Sequence, residues 1–168
     1  GSLKNLEKKD ARPIDFATAS FGQGTAVTPL QLANAFSAIA NGGLLMKPYV
    51  NAETEPSIVR RVISKETAEK VTKMMVSAVE KAQVAAIPSY RVAGKTGTAQ
   101  IPNFQTGGYT EEFIHSYVGF APASAPRFVI LIKLDKPNAT LAGVTVVPAF
   151  RELAQFVLTY YNVPPDNL

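Results

Sequence analysis

The run Phe128-Val129-Ile130-Leu131-Ile132 places five apolar residues in succession. Along a strand, successive side chains point to opposite faces, so such a run is stable only where both faces are covered. A chain that carries it must build a sheet with a layer on each side. The run reads as a central strand within 127–135. Tyr90 to Ile101 and Phe113 to Phe120 are rich in β-branched and aromatic residues and read as its neighbours. The connections 102–112 and 121–126 are short and carry Pro, Gly or Asn, which favours antiparallel pairing. Lys47 to Asn51 and Ser57 to Ile63 read as two further short strands.

Three segments supply the covering layers. Thr28 suits an N-cap, Pro29 the first helical position and Gln31 the far side of a capping box. Leu32, Phe36, Ile39 and Ala40 then share one face, and Asn41-Gly42-Gly43 stops the helix, predicted over 29–41. Ser64 caps a second helix over 65–82, with Ala68, Val71, Met75, Ala78 and Val79 as its buried stripe. A third begins at Pro148, repeats Phe150, Leu153, Ala154, Val157, Leu158 and Tyr161, and stops at Pro164-Pro165. Lys4 to Arg12 reads as a polar loop or frayed helix. The expected class is α+β, with helices on an antiparallel sheet.

Composition narrows the chemistry. Of 168 residues, 46% are hydrophobic, enough for a core and too many for a disordered tail. The net charge of +4 is spread along the chain, so no basic patch points to nucleic acid. Cysteine is absent, which excludes disulfides, a thiol nucleophile and Cys-based zinc sites. The single histidine, His115, cannot form a multi-His metal centre by itself and reads as structural or exposed. No metal or cofactor is expected, and no apolar stretch reaches the roughly 18 residues of a membrane span. Gly1-Ser2 reads as the remnant of a cut expression tag and is set apart from residues 3–168.

Val92-Ala93-Gly94-Lys95-Thr96-Gly97-Thr98-Ala99-Gln100 is the segment with chemical potential. Glycine weakens a strand interior, so Gly94 and Gly97 mark close approach by a ligand or another backbone. Thr96 and Thr98 put two hydroxyls on one side, while Lys95 adds a positive charge. Such an edge could hold a carboxylate, or pair with an extended peptide. The same residues also fit an ordinary sheet strand with a solvent-facing lysine.

Lys-Thr-Gly is also the third of three motifs in serine acyl-transferases that include penicillin-binding proteins. The chain resembles class B members of that family at several places in order. These are Ala19-Ser20-Phe21-Gly22-Gln23-Gly24, Val27-Thr28-Pro29-Leu30-Gln31-Leu32-Ala33, the strand Val92 to Gln100, Tyr117-Val118-Gly119-Phe120-Ala121-Pro122, Leu131 to Pro137 and the helix from Pro148 to Tyr161. The resemblance runs from about Ile14 to Pro165. It implies the C-terminal part of a penicillin-binding, serine β-lactamase-like transpeptidase domain. It further implies a membrane-anchored D,D-transpeptidase on the extracytoplasmic face of the bacterial membrane. Its partners would be D-Ala-D-Ala stem peptides and β-lactams, in a division, elongation or sporulation role. Carried onto this chain, the resemblance makes Lys95 an electrostatic and proton-network group. Thr96 and Thr98 would bind the substrate carboxylate, the Thr98 N–H would form half of the oxyanion hole, and Gly97 would leave room for the substrate backbone.

The family's Ser-x-x-Lys and Ser-x-Asn motifs are absent from the chain. Ser57 is followed three residues on by Arg60, Ser64 by Thr67 and Ser77 by Glu80. The expectation is a piece without the nucleophile half, inactive in isolation, whose partner is the missing N-terminal part and whose membrane anchor lies there too. The alternative is a catalytically silent scaffold or a β-lactam sensor. Relatives often carry Gly-Thr-Gly before the third-motif strand, where this chain reads Glu80-Lys81-Ala82-Gln83-Val84-Ala85-Ala86. The loop 102–112 would border the cleft. Strand alternation puts Lys95 and Thr96 on opposite faces, and the sequence does not reveal how both reach one site.

Overall fold

The computed structural model describes residues 1–166. In chain order the elements are α1 (Lys4–Glu7), α2 (Pro13–Ser20), α3 (Pro29–Ala40), β1 (Leu44–Met46), β2 (Ile58–Arg61), α4 (Lys65–Ala82), β3 (Ala93–Pro102), β4 (Tyr109–Ala121), β5 (Phe128–Asp135), a 3-10 turn (Ala142–Val144) and α5 (Val146–Tyr160). β3, β4 and β5 form an antiparallel meander in that order, and β1 pairs with β2 separately.

The expected elements form for the expected reasons. Thr28 Oγ1 accepts from the Gln31 N–H while the Gln31 side chain accepts from the Thr28 N–H, closing the capping box of α3. Ser64 caps α4 in the same way, through the Thr67 N–H. α5 starts two residues before Pro148, which sits in the first turn, where a missing N–H costs nothing.

Three expectations are corrected. The central strand is β4; β5, with its five apolar residues, is the outer strand among the described residues and only half-buried. The apolar run signalled burial on two faces, which does not identify its neighbours. No strand covers 47–51: β1 ends at Met46, because Pro48 has no N–H to continue the ladder. The loop 102–112 shrinks to 103–108 because both strands of the hairpin extend further. The polar segment at the start holds the short α1, in keeping with a loop or frayed helix; α2, not expected from the sequence, follows it, started by Pro13 and by Asp15, whose carboxylate accepts from the Arg12 N–H. Ser2 forms an isolated antiparallel bridge with Ala26.

The register decides the layers. Gly94, Thr96 and Thr98 lie opposite Gly119, Tyr117 and His115, so these six share one face. Ala93, Lys95 and Gly97 lie opposite Phe120, Val118 and Ser116 on the other. α5 covers the first face through Phe150, Ala154 and Leu158. Phe36 and Ile39 of α3, with Met75 of α4, pack around Ala93 and Phe120 on the second. Phe150 and Phe120 are fully buried, and truncating either to Ala would cost about 3–5 kcal/mol.

The segment after α5 ties the sheet's entry together. Asp166 accepts from the Arg91 N–H at 2.7 Å, from the Ser124 hydroxyl at 2.6 Å and from the Ser124 N–H at 3.2 Å, and the Arg91 Nε lies 3.7 Å away. Its side chain is 11% exposed. Burial pushes the carboxyl up, but the Ser124 hydroxyl, the two backbone N–H groups and the Arg91 charge outweigh it and hold the pKa below the ordinary value. A depressed carboxyl contributes stability above its unfolded pKa of about 4 and loses it as pH falls through the folded value. Asp166→Asn should therefore lower stability to urea at pH 7 by about 1–3 kcal/mol. The deficit should shrink below about pH 4. A deficit that stays constant down to pH 2 would remove the carboxylate's charge from the explanation.

Candidate active site

Among the described residues β3 is the outer strand on its side of the meander, so one backbone edge of the motif strand is open. Lys95 and Thr96 both lie exposed at that edge. The Lys95 ammonium donates to the Thr96 carbonyl at 2.6 Å, so its side chain curls round the strand from its own face. The ammonium of a residue on one face thus reaches the strand edge, beside a backbone carbonyl of the next residue. A residue in an antiparallel ladder sends its N–H and C=O to one side, and the side alternates along the strand. The Thr96 carbonyl is turned to the open edge, and Thr98, two residues on, turns its N–H the same way.

The two threonines share a face, but their hydroxyls have different surroundings. Thr98 Oγ1 accepts from the Ala142 N–H at 3.3 Å, across 44 residues of sequence. Nothing in the sequence pattern announces this contact, which depends on where α5 docks. The cross-strand partner of Thr98 is His115, fully buried, whose Nδ1 lies 2.9 Å from Thr145 Oγ1.

The two glycines of the motif admit neighbours from β4. A Cβ on Gly94 would collide with the hydroxyl end of Tyr117, and one on Gly97 would meet Ser116 Oγ at 2.5 Å. The close approach expected of a ligand is, at Gly94, the approach of this buried ring. Tyr117 packs in a tilted arrangement on Phe150, centroids 4.6 Å apart, and its hydroxyl has no hydrogen-bond partner among the described residues. Burial pushes that hydroxyl's pKa well above its ordinary range, so it stays protonated.

A cleft of about 190 Å³ lies beside the motif, bounded by Ala78, Ala82, Gly94, Lys95, Thr96 and Gly143. A larger hollow of about 500 Å³, bordered by Asn41, Lys65, Thr72 and Ser124, lies along another stretch of α4 and holds none of Lys95 to Thr98. Chemistry rather than size selects the smaller cleft, since the larger one borders neither Lys95 nor the motif strand. Among the described residues no three His, Cys, Asp or Glu side chains cluster as a metal site would require. None of the described helices is long and apolar enough to cross a membrane.

The structure brings together the four residues singled out in sequence, Lys95, Thr96, Gly97 and Thr98, on one edge, and adds Ala142, Thr145, His115 and Tyr117 behind them. Gly94→Ala should destabilise the protein by about 1–3 kcal/mol, because Tyr117 is wedged against Phe150 and cannot retreat. Gly97→Ala should fold with little loss, since Ser116 can rotate its hydroxyl away. Equal urea midpoints for wild type and the Gly94 variant would show that the ring is not fixed as described.

Comparison with known proteins completes the assignment. Residues 2–155 match the family described as the penicillin binding protein transpeptidase domain. Stage V sporulation protein D of Bacillus subtilis is 35% identical, over 98% of this chain and 28% of its own length. The peptidoglycan D,D-transpeptidase FtsI of Buchnera aphidicola subsp. Baizongia pistaciae is 33% identical, over 96% of this chain and 30% of its own. Among solved structures, the transpeptidase domain of Burkholderia pseudomallei penicillin-binding protein 3 superposes with a TM-score of 0.81 at 36% identity, covering 94% of this chain and 49% of that one. Penicillin-binding protein 3 of Mycobacterium tuberculosis, complexed with ampicillin, superposes with a TM-score of 0.75 at 31% identity, over 92% of this chain and 41% of that one. The chain thus spans under a third of these curated relatives and about half of the solved domain. The chain belongs to the penicillin-binding protein transpeptidase family, of class B type.

Proposed function

We propose that this chain is the C-terminal, Lys-Thr-Gly-bearing part of a D,D-transpeptidase domain that cross-links peptidoglycan and is acylated by β-lactams. The observation that carries the reading is the open edge of β3, with the Lys95 ammonium drawn to it and with Thr96 and Thr98 exposed along the same strand. A serine supplied by the other part of the domain attacks the carbonyl carbon of the D-Ala-D-Ala bond. The C–O bond forms, the C–N bond breaks, and the proton passes to the departing D-Ala amine. An amine of a second stem peptide then displaces the serine. In this reading the Thr98 N–H binds the oxyanion, which needs a preorganised donor where negative charge develops. Thr96 and Thr98 bind the terminal carboxylate, Lys95 stabilises charge at the nucleophile, and the missing Cβ of Gly97 admits the substrate backbone. The complex of the Mycobacterium tuberculosis relative with ampicillin supports β-lactams as ligands.

The serine-bearing half belongs against the apolar surface that this chain leaves open. α2 buries none of its residues, and Phe21 and Leu30 are 70% and 63% exposed. The outer edge of β5 has no strand partner among the described residues. The parent protein would be anchored in the cytoplasmic membrane by a segment outside this chain and would act on its extracytoplasmic face.

Fluorescent penicillin tests the proposal. The 168-residue chain alone should take no boil-resistant label, and mixing it with the half that bears Ser-x-x-Lys should restore labelling. In the protein containing both, Lys95→Ala should slow acylation by on the order of a hundredfold. Lys95→Arg should do little better, since a planar fork does not replace a compact ammonium. Wild-type acylation by the alanine variant would take Lys95 out of the mechanism. A protein that never labels, with both halves present, would point to the silent scaffold instead.

A further inference from the structure

A hydroxyl that binds a carboxylate must present its hydrogen to it. A threonine hydroxyl has one hydrogen and can also accept, so its direction is decided by whatever donates to it. For Thr98 that donor is the Ala142 N–H, in the 3-10 turn ahead of α5. With its lone pair so engaged, the Thr98 hydrogen is left to point away from the turn.

The turn is itself held from beneath. Its closing residue, Thr145, donates its backbone N–H to the Ala142 carbonyl at 3.2 Å and places its Oγ1 3.4 Å from that same oxygen. Thr145 Oγ1 also lies 2.9 Å from Nδ1 of His115. His115 is fully buried and directly opposite Thr98 in the β3–β4 register. A polar ring in that position is costly unless bonded; among the described residues its one bond goes to Thr145, while Nε2 has no partner.

We propose that His115 and Thr145 are positioning residues for Thr98. His115 donates from Nδ1 to Thr145 Oγ1, and Thr145 donates its hydroxyl to the Ala142 carbonyl. The turn so fixed aims the Ala142 N–H at Thr98 and turns the Thr98 hydroxyl hydrogen toward a ligand carboxylate. The inference rests on Thr98 being a carboxylate-binding residue, as proposed above. It adds the device that sets this hydroxyl as a donor.

The test uses the full-length protein with its serine-bearing half. Two probes are compared: benzylpenicillin, with a free carboxylate, and its methyl ester, without one. Acylation rate against concentration separates half-saturating concentration from limiting rate for each. His115→Phe keeps an aromatic ring at the site, slightly larger, and removes the bond. It should raise the half-saturating concentration for the free acid by on the order of tenfold, leaving the ester nearly unchanged. Thr145→Val should do the same, and covers the case in which the histidine variant fails to fold. His115→Asn, which offers a donor near the Nδ1 position, should restore most of the preference for the acid, whereas His115→Gln should not. A general packing role would weaken acid and ester alike, and that result, or no change in either, overturns the inference. Thr98→Val separates the two levels. If it abolishes the acid preference while the His115 and Thr145 variants keep it, the positioning role alone fails. If it leaves the preference intact, the assignment of Thr98 fails and takes this inference with it.

Discussion

Tyr117 and Phe150 can pack against each other in the core, rings tilted, only because Gly94 and Gly119 have no side chains. A Cβ on Gly119 would come within 2.7 Å of the Phe150 ring, and one on Gly94 would strike Tyr117. Two absent side chains thus make room for one aromatic pair, and that pair seats α5 on the sheet. Everything at the far end follows from this seating. Once α5 is placed, its leading turn lies over Thr98, and the hydroxyls of Thr98 and Thr145 find their partners. Glycine in the motif strand is a packing requirement before it is a feature of the cleft.

The edge proposed as functional combines rigidity behind with openness in front. Behind β3 stand a paired strand, a buried histidine and a helix. In front stands an unpaired backbone edge, with a lysine curled against it. A site that stabilises developing charge needs donors that do not have to be reorganised when the charge appears. An edge strand paired along its other side meets that need, because its outward N–H groups are held by the ladder and not by a mobile loop.

Much of this was legible in the sequence because it depends on local rules. The Thr28–Gln31 capping box, the Ser64 cap and the helical spacing of Met75 and Val79 each lie within one element, and α3 and α4 fall where those signals put them. The motif strand was legible through Lys95 to Thr98, whose shared face and opposed face follow from alternation alone. The apolar run at 128–132 was read as central, since two covered faces look alike whether or not both edges are paired. The Ala142–Thr98 and His115–Thr145 bonds were out of reach, because they join segments that meet only through α5 docking. α2 was missed although Pro13 and Asp15 mark its start; its apolar residues remain exposed and form no buried stripe.

The three strands of the larger sheet are neighbours in sequence, joined by 103–108 and 122–127. The pairing of Thr98 with His115 is therefore set by one short turn, without help from any distant segment. Just beyond the motif the ladder slips, with an irregularity between Gln100 and Pro102. That slip isolates the two ends of the hairpin from each other. Length changes in the turn can be absorbed there, while the register from Ala93 to Gln100 stays as it is. One residue added between Lys95 and Thr98 has no such outlet: with a period of two, it would send the Thr98 hydroxyl to the opposite face. The hairpin is thus free to vary in its tip and bound to a fixed count in its stem, and evolution can reshape the mouth of the cleft without disturbing its floor.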